Sequence, residues 1–430
     1  MVEPLASWEE PAQRPIRAES RARRLAARWL LPIEAPPIER GAILIDSNGR
    51  IEAVGPDAAV PRPYGVSADE FGDAILIPGL INTHTHLELT GFEGQVRDQE
   101  FSAWIRHLRQ LKSTREFSEY IDAARRGLAD CYAAGVTLIA DTGDSGAVIQ
   151  ALYEVDGAGI AYQEVFGPDP SQVEESLAQL QDKVHRGSRW AIGRVKMGVS
   201  PHAPYTVSGP LFQAVAEWAR AEELPLAVHL AESLAEVQFL RAGTGPFAEA
   251  WDARGIPLPA TLGCTPVAWV AGHDVLSERS LCIHAVQVGP EDIRRLADAG
   301  AAIAHCPLSN RIHGHGVAPL AAFLSADIRV GLGTDSVVSL GRLDLLAEAR
   351  VAGELAELAA EEVLELCTLG GARALGVDSE TGSLVVGKWG DCTVVRPGRG
   401  AGPPAELVLA SSPADVVGTY VGGREVYRAL

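Results

Sequence analysis

Ala74-Ile75-Leu76-Ile77-Pro78-Gly79-Leu80-Ile81-Asn82-Thr83-His84-Thr85-His86-Leu87-Glu88 is the stretch on which the reading of this chain turns. An apolar run meets a Pro-Gly break, and a short apolar pair then leads into two histidines with one residue between them. On an extended chain, side chains at i and i+2 share a face, so His84 and His86 can grip one ion together. Imidazole is a common ligand for zinc and its neighbours in the transition series. A lone His-x-His arises by chance, so the weight falls on whether the chain supplies further ligands.

Working outward, short apolar runs recur at 80–81, 136–140, 160–165, 195–199, 225–228, 281–283, 301–304 and 328–332. Most gaps between them carry helical periodicity, as at 171–185, 210–223, 291–299 and 344–357. Eight β-then-α units are the signature of a (β/α)8 TIM barrel. A doubly wound open sheet is the alternative, but no Gly-x-Gly-x-x-Gly follows an early strand. Both ends have a different texture. Ala42–Asp46, the turn Ser47-Asn48-Gly49 and Arg50–Gly55 read as a hairpin. Residues 382–387, 391–395 and 416–421 read as short strands, with a Gly/Pro-rich loop at 397–404. The expected organisation is therefore α/β: a barrel over 78–375, with 1–77 and 376–430 forming one small composite β-sandwich domain.

The polar residue closing each run is the sharper observation. Six histidines (84, 86, 202, 229, 284 and 305) stand at or just beyond run ends, and Asp141 and Asp335 close two more. In a barrel these are the C-terminal strand ends, where active sites are built. His84, His86, His229 and Asp335 offer three imidazoles and a carboxylate, a set that suits zinc or ferrous iron and leaves room for water. Asp335, in Gly-Leu-Gly-Thr-Asp-Ser, could instead cap the following helix. Glu232 lies three residues after His229. In a partly dry pocket it can carry a raised pKa and shuttle protons, although a first-turn helix carboxylate is the plainer reading. His284 could orient or deprotonate a metal-activated water. His202, between Pro201 and Pro204, reads as a substrate contact, with Asp141, His305 and Asn310 as further lining residues.

Composition bounds the alternatives. The 430 residues carry a net charge of −19, 47% hydrophobic and 22% charged residues, which describes a globular chain with a large core. Such acidity argues against a nucleic-acid or anionic-membrane partner. The six cysteines (131, 264, 282, 306, 367 and 392) are scattered, with no Cys-x-x-Cys, which disfavours a disulfide framework or zinc ribbon. No apolar stretch approaches the ~20 residues needed to span a bilayer, and no signal-peptide core opens the chain. The expected location is cytoplasmic. The Arg-rich segment 14–28 is expected to form a surface helix leading into a strand.

PGLINTHTHLE, SPHAPYT, HLAES, IHAV, AHCPLSN and GLGTDS, in this order, resemble the amidohydrolase superfamily. The likeness covers nearly the whole chain and is greatest to the branch of metal-dependent aminohydrolases and chlorohydrolases acting on nitrogen heterocycles. It implies a mononuclear site with His84, His86, His229 and Asp335 as ligands, zinc as the first choice with iron or manganese as alternatives, and Glu232, His284 and Asp335 handling protons. The binuclear branch uses a carboxylated lysine from the fourth strand; Lys196 sits six residues before the polar end at His202, so a single metal is expected. Within the branch, His-Thr-His-Leu-Glu, Ser-Pro-His-Ala-Pro-Tyr-Thr and Phe101–Ile105 look like adenosine-type deaminases, above all the aminofutalosine deaminases. That likeness implies a 6-aminopurine nucleoside substrate and release of ammonia. Glu88 and His202 would hold the purine or ribose, Trp104 and Arg106 would lie on a lid, and His305 and Asn310 would complete the pocket. Trp104 could equally be ordinary helix packing, and His313 and His315 depart from the smaller residues expected after the Ser-Asn motif. Alternatives are a guanine or other base deaminase, an s-triazine-type chlorohydrolase and, from a different class, a non-catalytic scaffold. Relatives suggest a homodimer.

Overall fold

The computed structural model describes residues 22–98, 100–260, 262–398 and 401–429. Two eight-stranded sheets organise them. The first is built from both ends of the chain: β1 (Arg23–Leu30), β2 (Ile38–Ile45), β3 (Ile51–Pro56), β4 (Ser67–Glu70) and β5 (Ile75–Pro78) from the N-terminal side. The second comprises β6 (Leu80–Thr85), β7 (Val136–Gly143), β8 (Gly159–Val165), β9 (Val195–Pro201), β10 (Leu226–Leu230), β11 (Ser280–His284), β12 (Ala302–His305) and β13 (Val330–Leu332). Then β14 (Cys392–Val395), β15 (Val416–Val421) and β16 (Arg424–Arg428) return to the first sheet.

In the first sheet the order β16-β15-β14-β5-β1-β2-β3, with β4 beside β1, joins the two termini where β14 runs antiparallel to β5, Cys392 facing Pro78. Alternation along β1 and β2 puts Leu25, Ile43 and Ile45 in one buried cluster and Ala26, Ala42 and Leu44 in another, the period of two expected of a strand. The hairpin between β2 and β3 forms as read, with Asp46 Oδ1 accepting from Asn48 N and Arg50 N and Gly49 at φ 86°. Two expectations change. Residues 382–387 form no strand: they turn beneath β3, where Gly387 takes φ 94° and donates its N–H to Ile51 O. The part of the Arg-rich segment that is described, from Arg23 onward, is strand and not helix; Arg24 is buried and ion-paired to Asp57 and Glu70. The rest of that segment lies outside the described residues. β16, not anticipated, pairs with β15.

The second sheet is the parallel barrel, and all eight of its strands fall on the apolar runs. Its strand residues divide by parity. Leu138, Ile160, Tyr162, Ala227 and Leu281 share one buried cluster, while Ile139, Ala161, Val228, Cys282 and Ile303 pack with the surrounding helices. Burial on both faces is why such strands read as continuous apolar runs and not as alternation. Closure occurs at the histidine stretch. Thr85 bridges Asp335, the Asp335 N–H donates to His84 O at 3.0 Å, and Asn82 brackets Thr334 through its amide nitrogen and oxygen at 2.8 and 3.1 Å. Gly333 permits that approach, since a Cβ there would lie 2.8 Å from His84 Cβ. Gly79, between β5 and β6, is equally constrained, its missing Cβ falling 2.0 Å from Thr137 Oγ1. This Pro78-Gly79 step is where the chain leaves one sheet for the other.

Between β6 and β7 lie α1 (Phe101–Lys112) and α2 (Phe117–Ala133). Glu100 caps α1 by accepting from Ser102 N and Ala103 N, both at 2.8 Å. No described helix is long and apolar enough to cross a membrane, and all six cysteines are free thiols.

Candidate metal centre and active site

At the C-terminal rim of the barrel, His84 lies near the end of β6 and His86 just beyond it, His229 lies in β10, and Asp335 follows β13. The nitrogens of the three histidines lie within 4.8 Å of one another. Asp335 Oδ1 is 3.4 Å from His84 Nε2 and 3.5 Å from His86 Nε2. Ligand bonds of about 2.0–2.2 Å around one tetrahedral ion leave donors separated by a comparable margin. Two further features fit a cation. The His84 ring is buried with neither nitrogen hydrogen-bonded, and His229 Nδ1 is likewise alone; buried polar atoms without partners are rare unless something else satisfies them. His86 Nδ1 donates to Thr142 O at 2.8 Å, so its Nε2 presents a lone pair toward Asp335. Burial holds the His84 pKa down at about 4 and pushes His229 further below its usual value, leaving both neutral at pH 7, the form that binds metal. The donor set therefore fits one divalent ion. Lys196 is exposed on the barrel exterior and offers nothing to a second.

Beside this group stands Glu232, whose Oε1 is 3.5 Å from His284 Nε2 and 3.1 Å from His315 Nε2. The raised pKa expected for Glu232 is not what the surroundings produce. Burial does push it up, but the His284 and His315 imidazoles outweigh burial and hold it down at about 2. Glu232 is thus a carboxylate ready to accept a proton. Its backbone is clamped from the next turn: Glu236, buried, accepts from Ala231 N and Glu232 N, both at 2.9 Å. His284 is set from the other side by Asn310, whose Oδ1 lies 3.0 Å from His284 Nδ1. With Nδ1 turned to that oxygen, Nε2 is the His284 nitrogen that faces Glu232. The backbone here is strained. Ala231, His284, Ala285 and Asp335 all adopt φ between 47° and 72°, a region that costs non-glycine residues on the order of 1–3 kcal/mol each.

A cavity of about 480 Å³ opens over these groups. Phe101 and Trp104 of α1, with Phe166 and Trp251, form its apolar walls, and His202 lines it too. Trp104 faces the cavity and packs at 4.8 Å against His313. Arg106 lies at the rim. Four residues anticipated at the cavity sit elsewhere. Glu88 does not reach the cavity wall: its carboxylate, 1% exposed, accepts from Lys112 Nζ at 2.8 Å and from Ser145 N at 3.1 Å. It thereby anchors the C-terminal end of α1, with Lys112 also bonded to Asp144. His305 is fully buried below the rim, where burial lowers its pKa to about 3. Asn310 acts on His284 and not on the cavity. Asp141 likewise serves the scaffold, accepting from Thr85 Oγ1 at 2.8 Å and Leu87 N at 2.6 Å.

Four residues with a part in this arrangement were given none by the reading of the sequence. Glu164 closes the third strand run, the one run for which no polar end was assigned, and it lines the cavity. Burial raises its carboxyl well above the usual range. His315 follows the Ser-Asn motif by five residues and is buried against Phe101 at 4.6 Å. Lys112 and Glu236 were hidden among ordinary helix charges. Lys112→Met strands the buried Glu88 carboxylate and is expected to destabilise the fold by about 3 kcal/mol. Urea unfolding measures this, and an unchanged midpoint would show the ion pair to be dispensable.

The comparisons with known proteins agree with this architecture. A 5-methylthioadenosine/S-adenosylhomocysteine deaminase of Desulforudis audaxviator is 31% identical over 400 residues, covering 89% of this chain and 88% of that protein. An aminodeoxyfutalosine deaminase of Deinococcus radiodurans is 33% identical over 324 residues, covering 71% of this chain and 74% of its own length. Among solved structures, a zinc-bound adenosine deaminase from Xanthomonas campestris superposes with a TM-score of 0.81 at 24% identity, covering 94% of this chain and 92% of that one, a likeness of fold. The amidohydrolase family profile matches residues 75–426, from β5 through every barrel strand to β16; the chain belongs to the amidohydrolase family.

Proposed function

We propose that the protein is a hydrolytic deaminase of a 6-aminopurine nucleoside, dependent on one divalent metal ion, with zinc as the ion. The observation that carries this reading is the meeting, at one end of one cavity, of the His84–His86–His229–Asp335 donor group with a Glu232 carboxylate held between two imidazoles. The deaminase names of the relatives support the reaction class and the nucleoside.

A divalent ion held by the four donors supplies Lewis acidity and stabilises developing charge on oxygen. The chain's own groups do the rest. Glu232, ionised at the start, accepts a proton from the attacking water and passes it to the ring nitrogen next to the carbon under attack. That carbon becomes tetrahedral as the C–O bond forms. His284, its Nδ1–H committed to Asn310, presents Nε2 to the water protons. Asp335, accepting from Ser309 Oγ, offers a second acceptor. The amino group leaves as ammonia when the C–N bond breaks and a proton reaches it. Phe101, Trp104 and Phe166 provide flat apolar surface for the base, and His202 offers a ring nitrogen to it.

Ammonia release from aminofutalosine, adenosine, methylthioadenosine, S-adenosylhomocysteine and guanine, measured side by side, tests the proposal. Turnover of at least one 6-aminopurine nucleoside is expected, and none on any of them overturns it. Hydrolysis of a chloro-s-triazine in place of these would select the chlorohydrolase alternative. Within the site, Asn310→Leu is expected to lower kcat by about 10–100-fold through loss of His284 orientation. A wild-type kcat in that variant would remove Asn310 from the mechanism.

A further inference from the structure

We propose that Glu164, His202 and His229 form a second, weaker cation site in the same cavity, through which excess zinc blocks entry of the substrate. The metal-binding part of this inference stands on geometry alone; the blocking part rests on the deaminase reading above.

Donor atoms of these three side chains, like those of the first site, all lie within 4.8 Å of one another. Glu164 is 4% exposed, and its Oε1 is buried with no hydrogen-bond partner. The cation nearest in character, Lys112, already bonds Glu88 and Asp144 and leaves that oxygen unserved. His202 is prepared as a ligand by its neighbours. Thr206 Oγ1 lies 3.1 Å from Ala203 O and 2.8 Å from His202 Nδ1, and giving its proton to the carbonyl makes it the acceptor for Nδ1. Nδ1 therefore carries the ring proton and Nε2 a free lone pair. An orphaned carboxyl oxygen, on a group that gives up its proton when an ion binds, and an imidazole nitrogen, both lining the cavity, match the ligand taste of zinc and its transition-series neighbours; calcium and magnesium prefer all-oxygen sites. His229 is common to both donor groups, so a second ion competes for it and binds more weakly than the first. An ion at Glu164 and His202 occupies the cavity and removes His202 from the substrate. Inhibition should then be competitive.

The test is equilibrium dialysis of the metal-stripped full-length protein against zinc chloride, from submicromolar to millimolar, with metal read by elemental analysis. Two equivalents are expected in two phases. Glu164→Gln should abolish the weaker phase and retain the tighter, and His202→Asn should do the same independently of any folding defect peculiar to the first variant. A single equivalent in the wild type overturns the proposal. So does a weaker phase that persists in both variants, which would be adventitious surface zinc. In the ammonia assay, excess zinc should raise the apparent KM at least tenfold without lowering kcat. Two equivalents with an unchanged KM would overturn the blocking role. If no nucleoside is turned over, the dialysis result still decides the site, so failure of the deaminase reading and failure of this one are distinguishable.

Discussion

Glu232→Gln is expected to lower kcat between about 10²- and 10⁴-fold while bound metal stays at its wild-type level. The substitution keeps shape and a hydrogen-bonding oxygen but removes the carboxylate placed to carry a proton from the water to the base. That loss corresponds to about 3–5 kcal/mol of transition-state stabilisation. Burial alone would favour a protonated Glu232, and the two imidazoles on Oε1 reverse that preference. A glutamine can donate to one of them and accept from the other, but it cannot relay a proton. Elemental analysis beside the ammonia assay makes the test specific. Full activity in the variant would transfer the proton relay to another group; loss of metal together with activity would show Glu232 to be part of the metal site.

His86→Ala should abolish stable metal binding and reduce turnover at least 100-fold, a larger effect than removing a supporting residue around the same site. Two observations set the size. His86 is one of three nitrogens in the donor group, and it is oriented in advance by the bond from Nδ1 to Thr142 O. The variant separates folding from binding, because His86 is half-buried at the rim and its ring fills no core cluster. A thermal melt with and without added zinc reports the difference. Wild-type protein should gain stability by about 2.7 kcal/mol at a hundredfold excess of zinc over its dissociation constant, and the variant should gain far less. Equal gains in both would place the ion elsewhere.

The barrel was legible because its strands are buried on both faces and its chemistry is confined to one end. Each apolar run therefore finishes at a polar residue, and the runs of β6, β10 and β13 pointed straight to His84, His86, His229 and Asp335. Segment 382–387 misled for a related reason. Small and β-branched residues suit strands, yet Gly382 and Gly387 both take positive φ and turn the chain. Glu88 shows the limit of spacing arguments. It shares the strand end with the histidines, but beyond His86 the chain turns into a short helical segment that directs the side chain to Lys112.

What the sequence determined by itself, then, was the alternation of strand and helix, the split β domain and the four metal-binding candidates. Those follow from periodicity and from side-chain type, which are local. The tertiary structure decided the rest: that His315 reaches Glu232 across 83 positions of chain, that Glu232 is held ionised, that Glu164 faces the cavity without a partner, and that Lys112 ties α1 to the barrel. These are properties of distance and burial between residues remote in sequence. Ala74–Glu88 could announce a ligand pair, but only closure of β13 against β6 brings Asp335 to it.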